Sequence, residues 1–169
     1  SAIDKQMLMI TGVTDVLIAV LLFVVYRSVI TSAIPLLTVG LGLGVARGVV
    51  AFLGERDLIE VSIFSVSLLA AMVLGAATDY GIFLLGRYHE QRRAGVDHEQ
   101  ALVIANRSVA PVIAASGLTI AAALSCLLFA QVGMLRSAGL PCAIGILTGM
   151  FASLTLLPAF IGLAGRHGL

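Results

Sequence analysis

The chain has 169 residues, of which 60% are hydrophobic and 11% are charged, with a formal net charge of +1. A soluble domain is about one quarter charged, and a chain of this length cannot enclose so much apolar surface in a core of its own. The ten basic residues are scattered along the chain, which argues against nucleic acid as a partner. The composition therefore predicts a membrane protein.

Five apolar stretches are long enough to cross a bilayer as helices, which takes about 20 residues. They cover roughly residues 8–26, 33–53, 61–85, 109–132 and 138–164. Most of the charge lies in the connections between them, and the longest connection, 86–108, is predicted to be a loop. We therefore expect an all-α integral membrane helix bundle, with residues 1–169 as one transmembrane domain and the two termini on opposite sides.

The distribution of lysine and arginine predicts the orientation, because these residues are more frequent on the cytoplasmic side. One side of the bundle carries Arg27, Arg87, Arg92, Arg93, Arg107 and Arg166. The other side carries only Lys5, Arg56 and Arg136. We expect the plasma membrane as the location, with the N-terminus outside and both the 86–108 loop and the C-terminus in the cytoplasm. Asp97 and Gln100 resemble a capping box that would open a short helix in this loop, but a surface connector is the favoured interpretation.

Metal and disulfide sites are not predicted. Cys126 and Cys142 lie in apolar stretches, where a cysteine is more often a small buried hydrophobic residue. His89, His98 and His167 are not spaced as pairs of metal ligands, either with each other or with the cysteines. We therefore expect neither a metal nor another cofactor.

Two charged residues lie inside the first two predicted spans. Counted from Arg27, Asp15 is about 18 Å from the inner boundary, and Arg47 is about 24 Å from the inner end of its own antiparallel span. An ion pair between Asp15 and Arg47 is therefore geometrically possible. The alternatives are that Arg47 extends alone to the outer interface and that Asp15 takes part in transport.

Asp79 lies in the third span, about 12 Å inside the boundary set by Arg87, too deep for its short side chain to reach the headgroups. A charged Asp at a helix centre costs about 2.5 to 3.5 kcal/mol, so it requires a partner, a proton or water. Burial favours the neutral form, which makes Asp79 a candidate for loading and releasing a proton. The alternative is a protonated Asp that only bonds a neighbouring helix. Tyr80 points about 100° away and addresses a different neighbour.

Small and hydroxyl residues surround this candidate site. Gly75 lies one turn before Asp79 on the same face and would let a helix or water approach the acid. Ser116 and Thr119 share a face of the fourth span, where they either bond their own backbone or relay a proton. Similarly spaced glycines, for which tight helix packing is the preferred interpretation, are Gly40, Gly44, Gly48, Gly145 and Gly149.

Four motifs together carry a resemblance to a known family. They are the glycine and "DY" of Gly75 to Tyr80, the "GIFLLGRYHEQRRAG" that follows, "SGLTIA" from Ser116, and "ARGVVAFLGE" from Ala46. Over essentially its whole length the chain resembles the MmpL transporters of the resistance-nodulation-division superfamily. It is similar to transmembrane helices 2 to 6 of one half of such a transporter, most of all to the siderophore-exporting branch.

The resemblance implies export of lipids, glycolipids or siderophores, driven by the proton-motive force. Asp79 and Tyr80 would be one of two relay pairs, each facing its counterpart in the other half. Implied partners are the homologous second half or another copy of this chain, porter domains and an accessory membrane protein outside this chain, lipidic cargo, and membrane lipids.

The sequence contains no enzyme motif, and we expect the chain to be part of a longer protein. One alternative function is a sterol-sensing-type lipid-binding or assembly subunit that does not pump. A small channel would need more polar residues per span than this sequence has.

Overall fold

A computed structural model describes residues 2–26 and 29–166, and five α-helices account for most of them. The helices are α1 Ala2–Tyr26, α2 Val29–Glu55, α3 Ile63–Arg93, α4 His98–Ser125 and α5 Gly133–Gly165. A short 3-10 helix, Cys126–Phe129, follows α4 directly. The described residues contain no β-strand. The expected all-α bundle is confirmed.

Four segments in the described part of the chain are long and apolar enough to cross a membrane. They are Thr31–Glu55, Ile63–Arg93, His98–Phe129 and Gly133–Gly165. At 31 to 33 residues, the last three are longer than the roughly 20 residues that the hydrocarbon core requires, so they tilt or extend past it. The crossing of α1, a helix of 25 residues, stays a prediction.

The connection expected at residues 86–108 is much shorter in the structure, and this part of the sequence interpretation was wrong. α3 continues to Arg93 and α4 begins at His98, so only residues 94–97 join them. The polar ends continue as helix beyond the apolar spans because helix formation does not require apolar residues. At the turn itself, Gly95 adopts a φ of 83°, which a residue without a side chain allows at low cost.

The N-terminus of α4 lies where the sequence predicted a helix start. The Asp97 side chain accepts a hydrogen bond from the backbone N–H of Glu99 at 3.3 Å, which caps the helix. The cap acts through Glu99 and not through the expected reciprocal bond with Gln100. The helix that it opens is not a short loop helix, because it continues through the fourth apolar span to Ser125.

α5 lies at the centre of the bundle and packs against α2, α3 and α4. Its small residues permit close approach: a Cβ on Gly145 would come within 2.8 Å of Leu69 of α3. Gly149 faces Val73 in the same interface. The packing interpretation therefore fits these two glycines.

The small-residue face of α2 differs from the expected one. Gly40, Gly44 and Gly48 have open space beside them, since no atom would lie within 4 Å of a Cβ added at any of the three. A Cβ added to Gly42, in contrast, would lie 3.2 Å from Ala152 of α5. The face of α2 that packs against α5 therefore contains Gly42, and Gly40, Gly44 and Gly48 lie outside it.

The two cysteines differ in burial. Cys142 is buried, as expected, but Cys126 is exposed, and both are free thiols. Cys126 begins the 3-10 helix that ends the fourth span, where the chain leaves the packed interior.

Candidate functional site

Asp79 lies near the midpoint of α3, with its side chain on an exposed face of the helix. Gly75 and Phe83, one turn away on either side, are exposed on the same face. Within the part of the chain that the structure describes, no side chain forms a hydrogen bond or an ion pair with the Asp79 carboxylate. The acid is therefore directed away from this chain's own core.

The Tyr80 side chain points into the bundle, about 100° around the helix from Asp79. Its side chain is only 5% exposed and packs with Ile113 of α4 and Met150 of α5. The hydroxyl lies 3.4 Å from Oγ of Ser116, which is long for a hydrogen bond between hydroxyls and therefore weak. The structure thus places Asp79 and Tyr80 in different surroundings, as their angular separation on a helix requires.

The two hydroxyl residues of α4 have different partners. Thr119 is exposed, and its hydroxyl donates to the backbone carbonyl of Ala115 at 2.7 Å. Ser116 is partly exposed and lies against Tyr80. Both line a shallow groove of about 560 Å³ on the surface of α4. Ser116 therefore lies between the buried phenol of Tyr80 and the outer surface of the bundle.

Gly117 sets the position of Ser116, a role that the sequence interpretation missed. A Cβ on Gly117 would come within 2.6 Å of the Met150 sulfur, so a larger residue here would require the Met150 side chain to move. Met150 and Ile113 in turn enclose the Tyr80 ring. The glycine in "SGLTIA" was the available signal, but sequence alone does not show which helix it faces.

Gly75 has open space beside it. Among the described residues, no atom from elsewhere in the bundle lies within 4 Å of a Cβ placed on Gly75. Gly75 also lines a cavity between α1 and α3, one turn from Asp79. This open space agrees with the expectation that the glycine leaves room near the acid.

Asp15 and Arg47 form no ion pair among the described residues, so the expected pairing was wrong. Arg47 is exposed and lines two cavities together with Met7 and Thr11 of α1. Asp15 lies one turn beyond Thr11 and lines neither cavity. The depths estimated from the sequence, about 18 Å for Asp15 and about 24 Å for Arg47, already differ by about one helical turn and agree with the position of Arg47 beside Thr11.

A second set of polar side chains, away from Asp79, lies near the C-terminal end of α3. The Tyr88 side chain is fully buried, and its hydroxyl lies 2.7 Å from Nδ1 of His98. Nε2 of His98 lies 3.4 Å from the backbone carbonyl of Gly162, and the imidazole ring packs against Gly165. These contacts join α3, α4 and α5. Sequence reasoning considered His98 only as a metal ligand, because residues so far apart in the chain give no spacing signal.

Metal binding receives no support from the geometry. The described residues contain no group of three or more His, Cys, Asp or Glu side chains that could hold a metal ion. The chemistry available at the candidate site is therefore that of one carboxyl group and a pair of hydroxyls.

Comparison with known proteins identifies the family. The sequence profile of the MMPL family matches residues 1–169. The chain belongs to the MMPL family. Together with its four apolar helices, this membership makes the chain a multi-pass membrane protein and confirms the resemblance drawn from its motifs.

MMPL relatives cover almost all of this chain. "Probable transport protein MmpL9" of Mycobacterium tuberculosis (strain ATCC 25618 / H37Rv) is 47% identical over 166 residues, 98% of this chain. "Siderophore exporter MmpL5" of M. tuberculosis (strain CDC 1551 / Oshkosh) is 46% identical over 165 residues, also 98% of this chain. "Sulfolipid-1 exporter MmpL8" of the same strain is 39% identical over 153 residues, 90% of this chain.

The MMPL relatives are much longer than this chain. The matched region is 17% of MmpL9 and of MmpL5, and 14% of MmpL8. The similarity therefore concerns one segment of these transporters.

Proposed function

We propose that this chain forms part of one half of the transmembrane domain of an exporter driven by the proton-motive force. The observation that carries the proposal is the Asp79 carboxylate, directed outward from the middle of a membrane-crossing helix with no partner among the described residues. The names of MmpL5 and MmpL8 support siderophores, lipids or glycolipids as the class of cargo. The chain acts as a transporter component and not as an enzyme.

The outward position of Asp79 supports a partner helix on this face. A charged Asp in lipid costs about 2.5 to 3.5 kcal/mol, which a donor from another helix offsets. Gly86 lies two turns from Asp79 on an exposed part of α3, and no atom of another described element lies within 4 Å of a Cβ added to it. Small residues permit close approach of a second helix. The partner in this proposal is the homologous second half, or another copy of this chain.

Proton loading then changes the helix contact. The ionised carboxylate of Asp79 holds a donor from the partner half, whereas the protonated form carries no charge and attracts that donor less. A proton taken up from outside and released inside therefore shifts the equilibrium between two arrangements of the halves. Porter domains outside this chain, with an accessory membrane protein, convert this shift into movement of cargo.

Tyr80 and Ser116 provide the route from α3 to α4. Because Tyr80 follows Asp79 directly, a movement of α3 at the acid also moves the phenol against Ser116. The Tyr80 hydroxyl and the Ser116 hydroxyl, 3.4 Å apart, form a donor and acceptor pair that ends at the groove on α4. In this proposal Asp79 binds the proton, and Tyr80 and Ser116 respond to it.

The test is replacement of Asp79 in the complete assembled transporter. Asp79→Asn keeps the size of the side chain and most hydrogen bonding but cannot carry a proton, so proton-dependent export should be abolished at normal expression. Asp15→Asn is the matched control, since it removes a membrane carboxylate outside the α3 face, and it should retain most export. Export by Asp79→Asn at the unmodified rate, under the same imposed gradient, would show that the acid is only a packing element.

The partner half can be tested separately by crosslinking. Cysteine at Phe83, exposed one turn from Asp79, should form crosslinks in native membranes to the second half or to another copy. Cysteine at Phe151, exposed on α5, is the control on another face. Only monomers with the cysteine at Phe83 would contradict a partner on the Asp79 face.

A sterol-sensing-type lipid-binding or assembly subunit is the second candidate. The apolar cavities between α1 and the rest of the bundle favour it, because they could hold lipid without any proton transfer. The Asp79→Asn variant distinguishes the two functions. A lipid-binding or assembly subunit should keep its activity in this variant, whereas a proton-driven exporter should lose it.

A further inference from the structure

Two neighbouring cavities separate α1 from α2 and α3. One has a volume of about 480 Å³ and reaches from Asp4 towards Leu69. The other has a volume of about 430 Å³ and reaches from Ile3 to Ile18 on α1 and to Gly75 on α3. Because Met7, Thr11 and Arg47 line both, the two cavities form one continuous space, which we call the α1 cleft.

The α1 cleft runs along α1 on both sides of Arg47. From Asp4 to Ile18 it follows α1 for about 21 Å at 1.5 Å per residue. From Thr11, which lies beside Arg47, to Ile18 the cleft follows α1 for about 10 Å, which accommodates the first part of an acyl chain in a leaflet about 15 Å deep.

The lower part of the α1 cleft is apolar and open at its end. Ile10, Ile18 and Leu74 form its walls below the level of Arg47. At the end of the cleft, no atom lies within 4 Å of a Cβ added to Gly75. A hydrocarbon chain can therefore extend as far as Gly75 without displacing protein atoms.

Arg47 supplies a cation in the middle of the α1 cleft. Its side chain is exposed to the cleft and has no hydrogen-bond or ion-pair partner among the described residues. It lies eight residues before the end of α2, about 12 Å along the helix. Because Cα–Cβ bonds tilt towards the helix N-terminus, the side chain starts out away from that end, and extension to water is disfavoured.

The charges around Arg47 favour a phosphate beside it. Asp4 also lines the upper cavity, and it already has an interaction of its own. The other polar groups of the cleft are neutral, namely Thr11, Thr14, Gln6 and Ser67. A guanidinium binds phosphate through two parallel hydrogen bonds, which also compensates for its desolvation.

We propose that the α1 cleft holds one phospholipid molecule, with its phosphate bound by Arg47 and one acyl chain extended along α1 to Gly75. The lipid fills the space between α1 and α3, which make few direct contacts with each other. It acts as a resident structural lipid that holds α1 against the bundle, and its binding is independent of proton transfer at Asp79.

A fluorescence titration of the full chain tests this site. The sequence contains no Trp, so Leu17→Trp places a single fluorophore at an exposed position beside Ile18. In maltoside micelles, phosphatidylglycerol with a spin label on its acyl chain should quench this Trp saturably. Diacylglycerol with the same labelled chain lacks the phosphate and should bind at least about tenfold more weakly. Phe151→Trp, exposed on α5, is the control and should show only unsaturable background quenching.

Two pairs of variants locate the headgroup and the tail. Arg47→Gln should weaken phosphatidylglycerol binding about tenfold, while Arg56→Gln, which removes a cation stacked on Phe52 outside the cleft, should leave it unchanged. Gly75→Leu should block the tail, while Gly86→Leu, an equally open glycine of α3, should not. Equal quenching by both labelled lipids would overturn the proposal, and this comparison requires no Arg47 variant. Unchanged affinity in Arg47→Gln would overturn it as well.

Discussion

Asp79 and Tyr80 are adjacent in sequence, yet the acid lies on the exposed face of α3 and the phenol lies in the core, 3.4 Å from Ser116. Asp79 therefore faces the surroundings of this chain, and Tyr80 contacts α4 of the same chain. In the proposed mechanism, a change at the outer face reaches the interior through the peptide unit that joins these two residues.

Tyr80→Phe should separate the role of the hydroxyl from that of the ring. The ring keeps its packing against Ile113 and Met150, so the free energy of unfolding should change by only about 0.6 kcal/mol, the average for a hydrogen bond between membrane helices. Export in the assembled transporter should fall by far more than this stability change explains. Ser116→Ala removes the same bond from the other side and should reproduce the defect. Normal export in both variants would exclude the hydroxyl pair from the relay.

The Tyr88–His98 pair gives a stability prediction. His98→Ala removes the Nδ1 partner of the buried Tyr88 hydroxyl and the contact with the end of α5, which should cost about 1 to 3 kcal/mol. Thermal unfolding of the purified chain in detergent measures the change. Gln100→Ala, an exposed position in the same turn of α4, is the control and should stay near the unmodified value. Equal midpoints for the two variants would show that the pair does not hold the three helices together.

Helix packing through α5 can be tested with two glycines. Gly145→Ala forces a methyl group against Leu69 at 2.8 Å and should destabilise the bundle by about 1 to 3 kcal/mol. Gly44→Ala meets no neighbour and should be neutral or stabilising by up to about 1 kcal/mol, because Ala is the better helix former. Unfolding midpoints in one detergent compare the two directly. Similar destabilisation in both would mean that the α3–α5 contact is looser than the structure shows.

Cysteine labelling tests the predicted orientation. In a Cys126→Ser, Cys142→Ala background, a cysteine at Arg93 should react with an impermeant reagent only from the cytoplasm, and one at Arg56 only from outside. Both positions are exposed at the ends of helices, so access does not limit the reaction. The reverse labelling pattern would invert the topology.

The sequence predicted the helix bundle well because long apolar runs leave few alternatives in a membrane. It predicted the helix ends poorly at residues 86–108, since charged residues mark the membrane boundary but do not end a helix. The start of α4 was placed correctly because Asp97 caps it through a local bond.

For the candidate site as well, some features could be predicted from the sequence and others could not. That Asp79 and Tyr80 point in different directions follows from the helix period, which the sequence contains. The pairing of Tyr80 with Ser116, the Tyr88–His98 bond and the absence of an Asp15–Arg47 pair among the described residues depend on how helices pack, and spacing along the chain does not determine these contacts.

Infrared difference spectroscopy tests the central claim most directly, because it detects the carboxyl group of Asp79 itself. The assembled transporter is reconstituted in vesicles, and spectra are compared before and after a proton gradient is imposed. We predict a change in the carbonyl band of a protonated carboxyl group that is absent in Asp79→Asn and retained in Asp15→Asn. The same band change in Asp79→Asn would contradict the claim that this acid gains and loses a proton during export.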